Sequence, residues 1–406
     1  MSTRRFAPTL GQIFSHFLWL GFTAFGGPIA HLAYFRASFV AQRRWLSDAQ
    51  LTELIALCQF LPGPTSSQVG FAVGYHLGGW RGAALAWLGF TLPAALLMTL
   101  AALGIMAIDG FAPSLLTGLL AVTVAVVAQA IWAMAKQHCT STGRLILMLV
   151  VAAACCVLSS APATVTILVI AGVIGSLSFH TQAHSASTAM LRAPSHGVGL
   201  ALLCVAVALL FSLPLLSALS PWWALSDSVY RAGALVFGGG HVVLPLLQAE
   251  LVDPGWLSLE HFYAGYGLAQ AVPGPLFSLA AFIGASVPAL NAPLLGAALL
   301  LVMVFLPGLL LVMGLLPFWR HWQRQPRARA AVIGLNAAVV GLLAATWLVS
   351  IVPYALVDWR SAALSLAAGL LLLWAKWPIG RVVLLTTSVG VLSSHATIAF
   401  LQQLSA

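Results

Sequence analysis

A proline-glycine-proline break occurs twice in this chain, each time within strongly apolar sequence: Gln59-Phe60-Leu61-Pro62-Gly63-Pro64-Thr65-Ser66-Ser67 and Gln270-Ala271-Val272-Pro273-Gly274-Pro275-Leu276-Phe277-Ser278. Proline has no backbone N–H and its ring collides with the preceding turn, so neither stretch forms an unbroken helix. Inside a bilayer a broken helix leaves backbone donors and acceptors without partners, which is tolerated only where the backbone is buried in protein or lines a polar cavity. A bilayer is the relevant solvent here: 61% of the 406 residues are hydrophobic and 6% are charged, against about 25% charged in an ordinary soluble domain. Several apolar runs reach the roughly 20 residues that a helix needs to cross a hydrocarbon core. The sequence thus reads as an all-α polytopic membrane protein, with the two breaks as its first candidates for a transport site.

Arg4 and Arg5 near the start are not followed by a short apolar segment with a cleavage site, so the first membrane element is expected to insert without a removable leader. Cys58, Cys139, Cys155, Cys156 and Cys204 lack the paired spacing of zinc or redox sites and read as small apolar side chains. No metal and no cofactor is expected. The net charge of +9 reflects loop topology rather than a nucleic-acid partner.

Along the chain, Leu10 to Val40 is interrupted at Phe25-Gly26-Gly27-Pro28, and Ser47 or Asp48 is placed to cap the next helix. The limbs on either side of the first break span about 13 to 17 residues, a length that suits half-helices or re-entrant hairpins. Crossings are expected over 82–108, with a kink at Pro93, and over 112–135, 145–159 and 162–179. A linker at 180–197 and an extra span at 198–219 follow.

The motifs recur in order. Phe25-Gly26-Gly27 matches Phe237-Gly238-Gly239, Trp45-Leu46-Ser47 matches Trp256-Leu257-Ser258, the two breaks match, and Leu92-Pro93 matches Leu306-Pro307. The expected organisation is one repeat over 1–180, a linker with one orientation-inverting span over 181–221, and a second repeat over 222–406. With a cytoplasmic N-terminus and broken elements that return to their own side, only Arg231 and Arg360 of the 17 Lys and Arg fall outside. The fold expected is two inverted-topology repeats with broken or re-entrant helices, about 9 full spans plus 4 broken elements, or about 13 membrane segments.

The Phe-Gly-Gly motif, the Trp-Leu-Ser start, the Gln-x-x-Pro-Gly-Pro break and the duplicated layout together resemble the chromate ion transporter family in its long-chain, bidomain form, over essentially the whole chain. That resemblance implies a multi-pass bacterial inner-membrane protein that exports chromate and confers resistance, with sulfate as the related oxyanion. The partners it brings are that small oxyanion and membrane lipid, with a homodimer as one assembly in view. The second half departs from the first where Gly240-His241 replaces Pro28-Ile29 and Leu276-Phe277 replaces Thr65-Ser66. Equal substrate binding by the two halves is therefore not expected.

A tetrahedral dianion needs several N–H or O–H donors, and half-helix N-termini supply them with a favourable dipole. Beyond Pro62, Pro64 suits the first helical position, Thr65, Ser66 and Ser67 are expected to aim donors into the cavity, and Gly63 to let the anion approach. Beyond Pro273, the residues Gly274, Pro275 and Ser278 offer a poorer version. The Phe-Gly-Gly motifs have two readings: close helix packing, or a second pair of half-helix starts that brings Gly26, Gly27, Gly238, Gly239, Gly240 and His241 to the site. Gln59 and Gln270 either donate to substrate or satisfy carbonyls freed at the breaks. His31 and His241 either pack or couple protons.

The rival classes are an intramembrane enzyme and a transporter that takes up or exchanges sulfate or another oxyanion. No His-Glu-x-x-His motif or Gly-x-x-x-x-Gly-Lys phosphate loop is present. Nearly all acidic residues read as loop residues, which leaves no intramembrane carboxylate to bind the coupling cation that uptake would need.

Overall fold

In the computed structural model, which describes residues 8–107, 113–158, 160–179 and 190–390, the serine of each Trp-Leu-Ser motif begins a helix. Ser47 and Gln50 form a capping box, each side chain bonding the other residue's N–H, and Ser258 accepts from the N–H of His261. These caps satisfy amides that have no partner within the helix.

The first half runs α1 (Leu10–Thr23), α2 (Gly27–Phe35, prolonged by a π-helical stretch Arg36–Gln42), α3 (Asp48–Phe60), α4 (Thr65–Ala107), α5 (Pro113–His138), α6 (Thr142–Val157) and α7 (Ala161–Ser178). After α8 (His196–Leu216) come α9 (Pro221–Ala234), α10 (Val243–Leu251), α11 (Leu259–Ala271), α12 (Leu279–Ser286), α13 (Pro293–Leu315) and α14 (Trp319–Trp322). The chain continues with α15 (Pro326–Thr346), α16 (Val352–Ala355), α17 (Trp359–Leu373) and α18 (Ile379–Gly390). Among the described residues every regular element is helical. The expected linker falls partly outside the described residues, at 180–189.

Among the described residues, five helices are long and apolar enough to cross a membrane: Thr65–Met106, Gly118–His138, His196–Leu219, Pro293–Trp322 and Pro326–Ala355. The crossings expected over 145–159 and 162–179 correspond to the apolar helices α6 and α7, of 16 and 18 residues. The limb expected after the first break and the span expected over 82–108 are separate helical limbs within α4, parted at Gly78 and Gly79, whose backbone is not helical and where Gly79 takes φ 64°.

Small residues set the helix contacts, as they do where apolar burial gives no drive for helices to associate. A methyl added at Gly74 would meet the carbonyl of Gly82 at 2.4 Å, and one at Gly284 would meet that of Gly296 at 2.1 Å. In each case the limb after the break folds tightly onto the following long helix. The same device joins the halves, since methyls at Gly175 and Gly334 would strike each other's backbone, and one at Gly118 would strike Thr386 and Thr387. So α15 of the second half packs among α6 and α7 of the first, while α5 of the first packs against α11, α17 and α18 of the second. Units that follow one another in sequence are interlocked in space.

The assignment of acidic residues to loops needs correction. Glu53 is buried within α3 and accepts from Trp319 Nε1 at 2.7 Å, a bond between the halves. Asp227 is buried within α9 and pairs with Arg231 at 3.0 Å, which also reaches Glu250 at 2.8 Å. The Glu53–Trp319 and Glu250–Arg231 contacts are made by tertiary packing that sequence spacing alone does not reveal, whereas Asp227 and Arg231 stand one helical turn apart in α9.

Candidate functional site

The two kinds of break complete one another across the halves. The Gly63 N–H donates to the carbonyl of Val236 at 2.7 Å, and the Gly274 N–H donates to that of Ala24 at 2.9 Å. Val236 and Ala24 hold the same place, immediately before Phe237-Gly238-Gly239 and Phe25-Gly26-Gly27. Each proline break therefore supplies a donor to a carbonyl freed where the other half's helix stops. A methyl added at Gly63 would lie 2.9 Å from Cα of Gly308, and one at Gly274 would lie 3.1 Å from Cβ of Ala94. Gly308 and Ala94 are again equivalent, each following a proline inside a long helix, Pro307 and Pro93.

This packing corrects the role expected of the first break. Gly63 takes φ 120°, a conformation glycine alone adopts readily, and its open side is filled by Gln68 and Gly308 rather than left for an anion. Pro64 stands one position before the helix, its carbonyl accepting from the Gln68 N–H, so α4 begins at Thr65. Ser66 and Ser67 are buried in packing. His31 Nε2 lies 3.2 Å from the Ala24 carbonyl, an acceptor, so that nitrogen carries the proton and Nδ1 accepts from the Ser66 hydroxyl at 3.2 Å. His31 is thus a structural clasp on the broken backbone. Gln68, which the sequence reading did not single out, donates from Nε2 to the carbonyls of Pro62 at 2.8 Å and Gly308 at 3.0 Å. Its spacing one turn into the helix after the break is the signal that was available.

A cavity of about 450 Å³ lies beside these clasps. Of the residues expected at the site, Gly26, Gln59, Thr65, Gly238, Gly239, Gly240 and His241 line it. Pro62, Gly63, Pro64, Ser66, Ser67, Gln270, Pro273, Gly274, Pro275 and Ser278 do not, and of these Gly63, Pro64 and Gly274 pack instead against the other half. Gly27 is not in the lining, although a methyl there would meet nothing within 4 Å. The two Phe-Gly-Gly breaks meet at this point, with a methyl on Gly240 coming to 3.7 Å from Pro28 Cγ. The N-terminus of α2 adjoins the lining at Gly26 and Pro28, where first-turn amides have no partner within the helix.

The full-length helices add side chains that the sequence reading missed: Gln129, Gln137 and His138 from α5 and Asn336 from α15. Gln129 Oε1 and Asn336 Oδ1 have no hydrogen-bond partner among the described residues. A polar side chain inside an apolar crossing was the signal available, as in Ala128-Gln129-Ala130. His138 Nε2 donates to the Gly238 carbonyl at 3.3 Å, and His241 Nδ1 pairs with the Tyr266 hydroxyl at 2.8 Å. None of the described lining residues is Lys, Arg, Asp or Glu. The cavity runs to the end of α5 and the start of α18, where Lys136, Lys376 and Arg381 are close neighbours in sequence.

The lining differs between the halves. Gln59 is exposed to the cavity, whereas its equivalent Gln270 is partly buried with Nε2 unpaired. Thr65 lines the cavity, but Leu276, Phe277 and Ser278 are buried on the second side.

Comparison with known proteins matches the family model described as chromate transporter to residues 11–176 and again to 223–393. A probable chromate transport protein of Synechococcus elongatus is 27% identical over 83% of this chain and 84% of its own. The chromate transport proteins of Pseudomonas aeruginosa and Cupriavidus metallidurans are each 28% identical, over 82% and 91% of this chain and 79% and 89% of theirs. No solved structure matches the chain.

Proposed function

The chain belongs to the chromate transporter family, and from that premise we propose that it is a secondary transporter that exports chromate from the cytoplasm through the cavity between its halves. The observation that carries this reading is a cavity lined by helix breaks from both halves and by amide, hydroxyl and imidazole side chains, with no Lys, Arg, Asp or Glu among the described lining residues. Such a site offers an oxyanion several hydrogen bonds and a helix dipole, yet no permanent counter-ion to trap it. The substrate sites are the lining residues, while the proline breaks maintain their shape.

Orientation follows the charge rule. With the N-terminus cytoplasmic and the halves inverted in a bacterial inner membrane, Lys136, Lys376 and Arg381 lie inside, so the cavity faces the cytoplasm. Moving a dianion outward through an inside-negative potential of 100 mV releases about 4.6 kcal/mol, roughly a 2000-fold gradient, without nucleotide hydrolysis. That step confers resistance by emptying the cytoplasm of chromate.

Everted membrane vesicles containing the protein are expected to accumulate chromate under a respiratory potential, with sulfate competing. Accumulation no greater than in vesicles without the protein would refute export. Sulfate accumulation only in right-side-out vesicles would favour the uptake reading instead.

A further inference from the structure

His138 and His241 are the two titratable side chains among the described lining residues, and their hydrogen bonds leave them in different chemical positions. Next to His241 is a hydroxyl, which can donate or accept. When the Tyr266 O–H donates to Nδ1, the neutral ring carries its proton on Nε2 and offers an N–H without gaining charge. His138 has no such freedom, because the Gly238 carbonyl is an acceptor only and claims the Nε2 proton. Its Nδ1 is then a lone pair with no partner among the described residues. Facing an oxyanion, that lone pair is repulsive, and a second proton turns it into a charged donor.

The charged groups nearest His138 in sequence are both cations. On its own helix, Lys136 sits 4.6 Å over the Trp132 ring. From α6, Arg144 bonds the Thr140 hydroxyl and lies over Phe179. From the second half the described lining holds the uncharged Gly238, Gly239, Gly240, Asn336 and Ile379 besides His241, with the cations Lys376 and Arg381 flanking Ile379 in sequence, and no carboxylate lines the described cavity. A proton on His138 would therefore add to a local excess of positive charge, and the oxyanion is the natural source of balancing negative charge.

We propose that His138 is an anion-positioning residue that takes up one proton from cytoplasmic water as the oxyanion binds, so that proton and anion occupy the cavity together. Nε2 keeps its bond to Gly238 throughout, and the proton is added at Nδ1. The assignment rests on the transport reading above. It makes the proton a companion that leaves with the anion, lowers the net charge carried by a dianion from two to one, and so halves the drive that the membrane potential gives to export.

The test uses the purified full-length chain in nanodiscs, titrated with chromate in weakly buffered solution at alkaline pH, where the free anion is already the dianion. Binding is followed by calorimetry in two buffers of unlike ionisation heat, which counts protons taken up. Wild type is expected to take up about one proton per chromate, with affinity falling about tenfold per pH unit as pH rises. His138→Gln keeps an N–H for Gly238 and is expected to bind chromate more weakly, with no proton uptake and no dependence on pH. Wild-type binding without proton uptake overturns the proposal by itself, whatever the folding of the variant. It is also overturned if uptake persists in His138→Gln, or is lost only in His241→Gln. Failure of wild type to bind chromate at all refutes the transport reading and takes the proposal with it, an outcome distinct from binding without protons.

Discussion

Gln68 and Gly63 hold the first break by opposite means, one by filling space with donors and the other by vacating it. Gln68→Met keeps the volume but leaves the carbonyls of Pro62 and Gly308 without their amide donor. A loss of about 1–3 kcal/mol is expected, measured as a lowered unfolding midpoint in detergent. Gly63→Ala forces a methyl against Gly308 Cα at a φ of 120° and is expected to cost at least about 1–3 kcal/mol, with loss of chromate transport. The same change at Gly274, where the obstacle is the Ala94 methyl at 3.1 Å, is expected to cost less. Equal effects at the two sites would show that the joints are equivalent. Much of the residue-level reading was legible, because a glycine between two prolines is an unambiguous stop. What that glycine faces was not legible, since Gly308 is far away in sequence and nothing in the spacing couples the two.

Among the elements, the breaks supply backbone to the cavity and the uninterrupted helices supply side chains. The second contribution was hidden because α5 and α15 read as ordinary apolar spans. Only an occasional Gln or Asn marks the cavity-facing side, and hydropathy treats such a residue as noise. The breaks themselves, their order and their serine caps were legible from the repeat. A prediction about exposure belongs at this scale. With the cavity on the Gln59 side, a cysteine at position 59 should react with a charged thiol reagent added to the cytoplasmic face, and a cysteine at position 270 should not. Rapid labelling at 270 under the same conditions would mean that both sides are open at once. If substrate drives the exchange expected of inverted repeats, chromate should slow labelling at 59 and promote it at 270.

For the whole molecule, duplication was legible in sequence but the exchange of helices between the copies was not, because homology reports ancestry and says nothing about which copy a helix packs on. Residues 1–180 expressed without 190–406 should fail to give a stable product, since α6 and α7 would lack α15 and α5 would lack α17 and α18. Co-expression of the two pieces should restore chromate transport to the extent that they associate. A first half that is stable and active alone would contradict the interlocked packing.

The reciprocal bonds from Gly63 to Val236 and from Gly274 to Ala24 also have a consequence for how the protein is made. The ribosome delivers residue 63 long before residue 236, so the nascent first half waits in the membrane with its broken backbone unclasped and a glycine seam on α7 uncovered. A membrane insertase that shelters unfinished helices would be needed during that interval. Premature stop codons in the second half should therefore yield fragments cleared by membrane quality control rather than half-working transporters, and a synonymous change that slows translation between the halves should lower yield without altering a single residue.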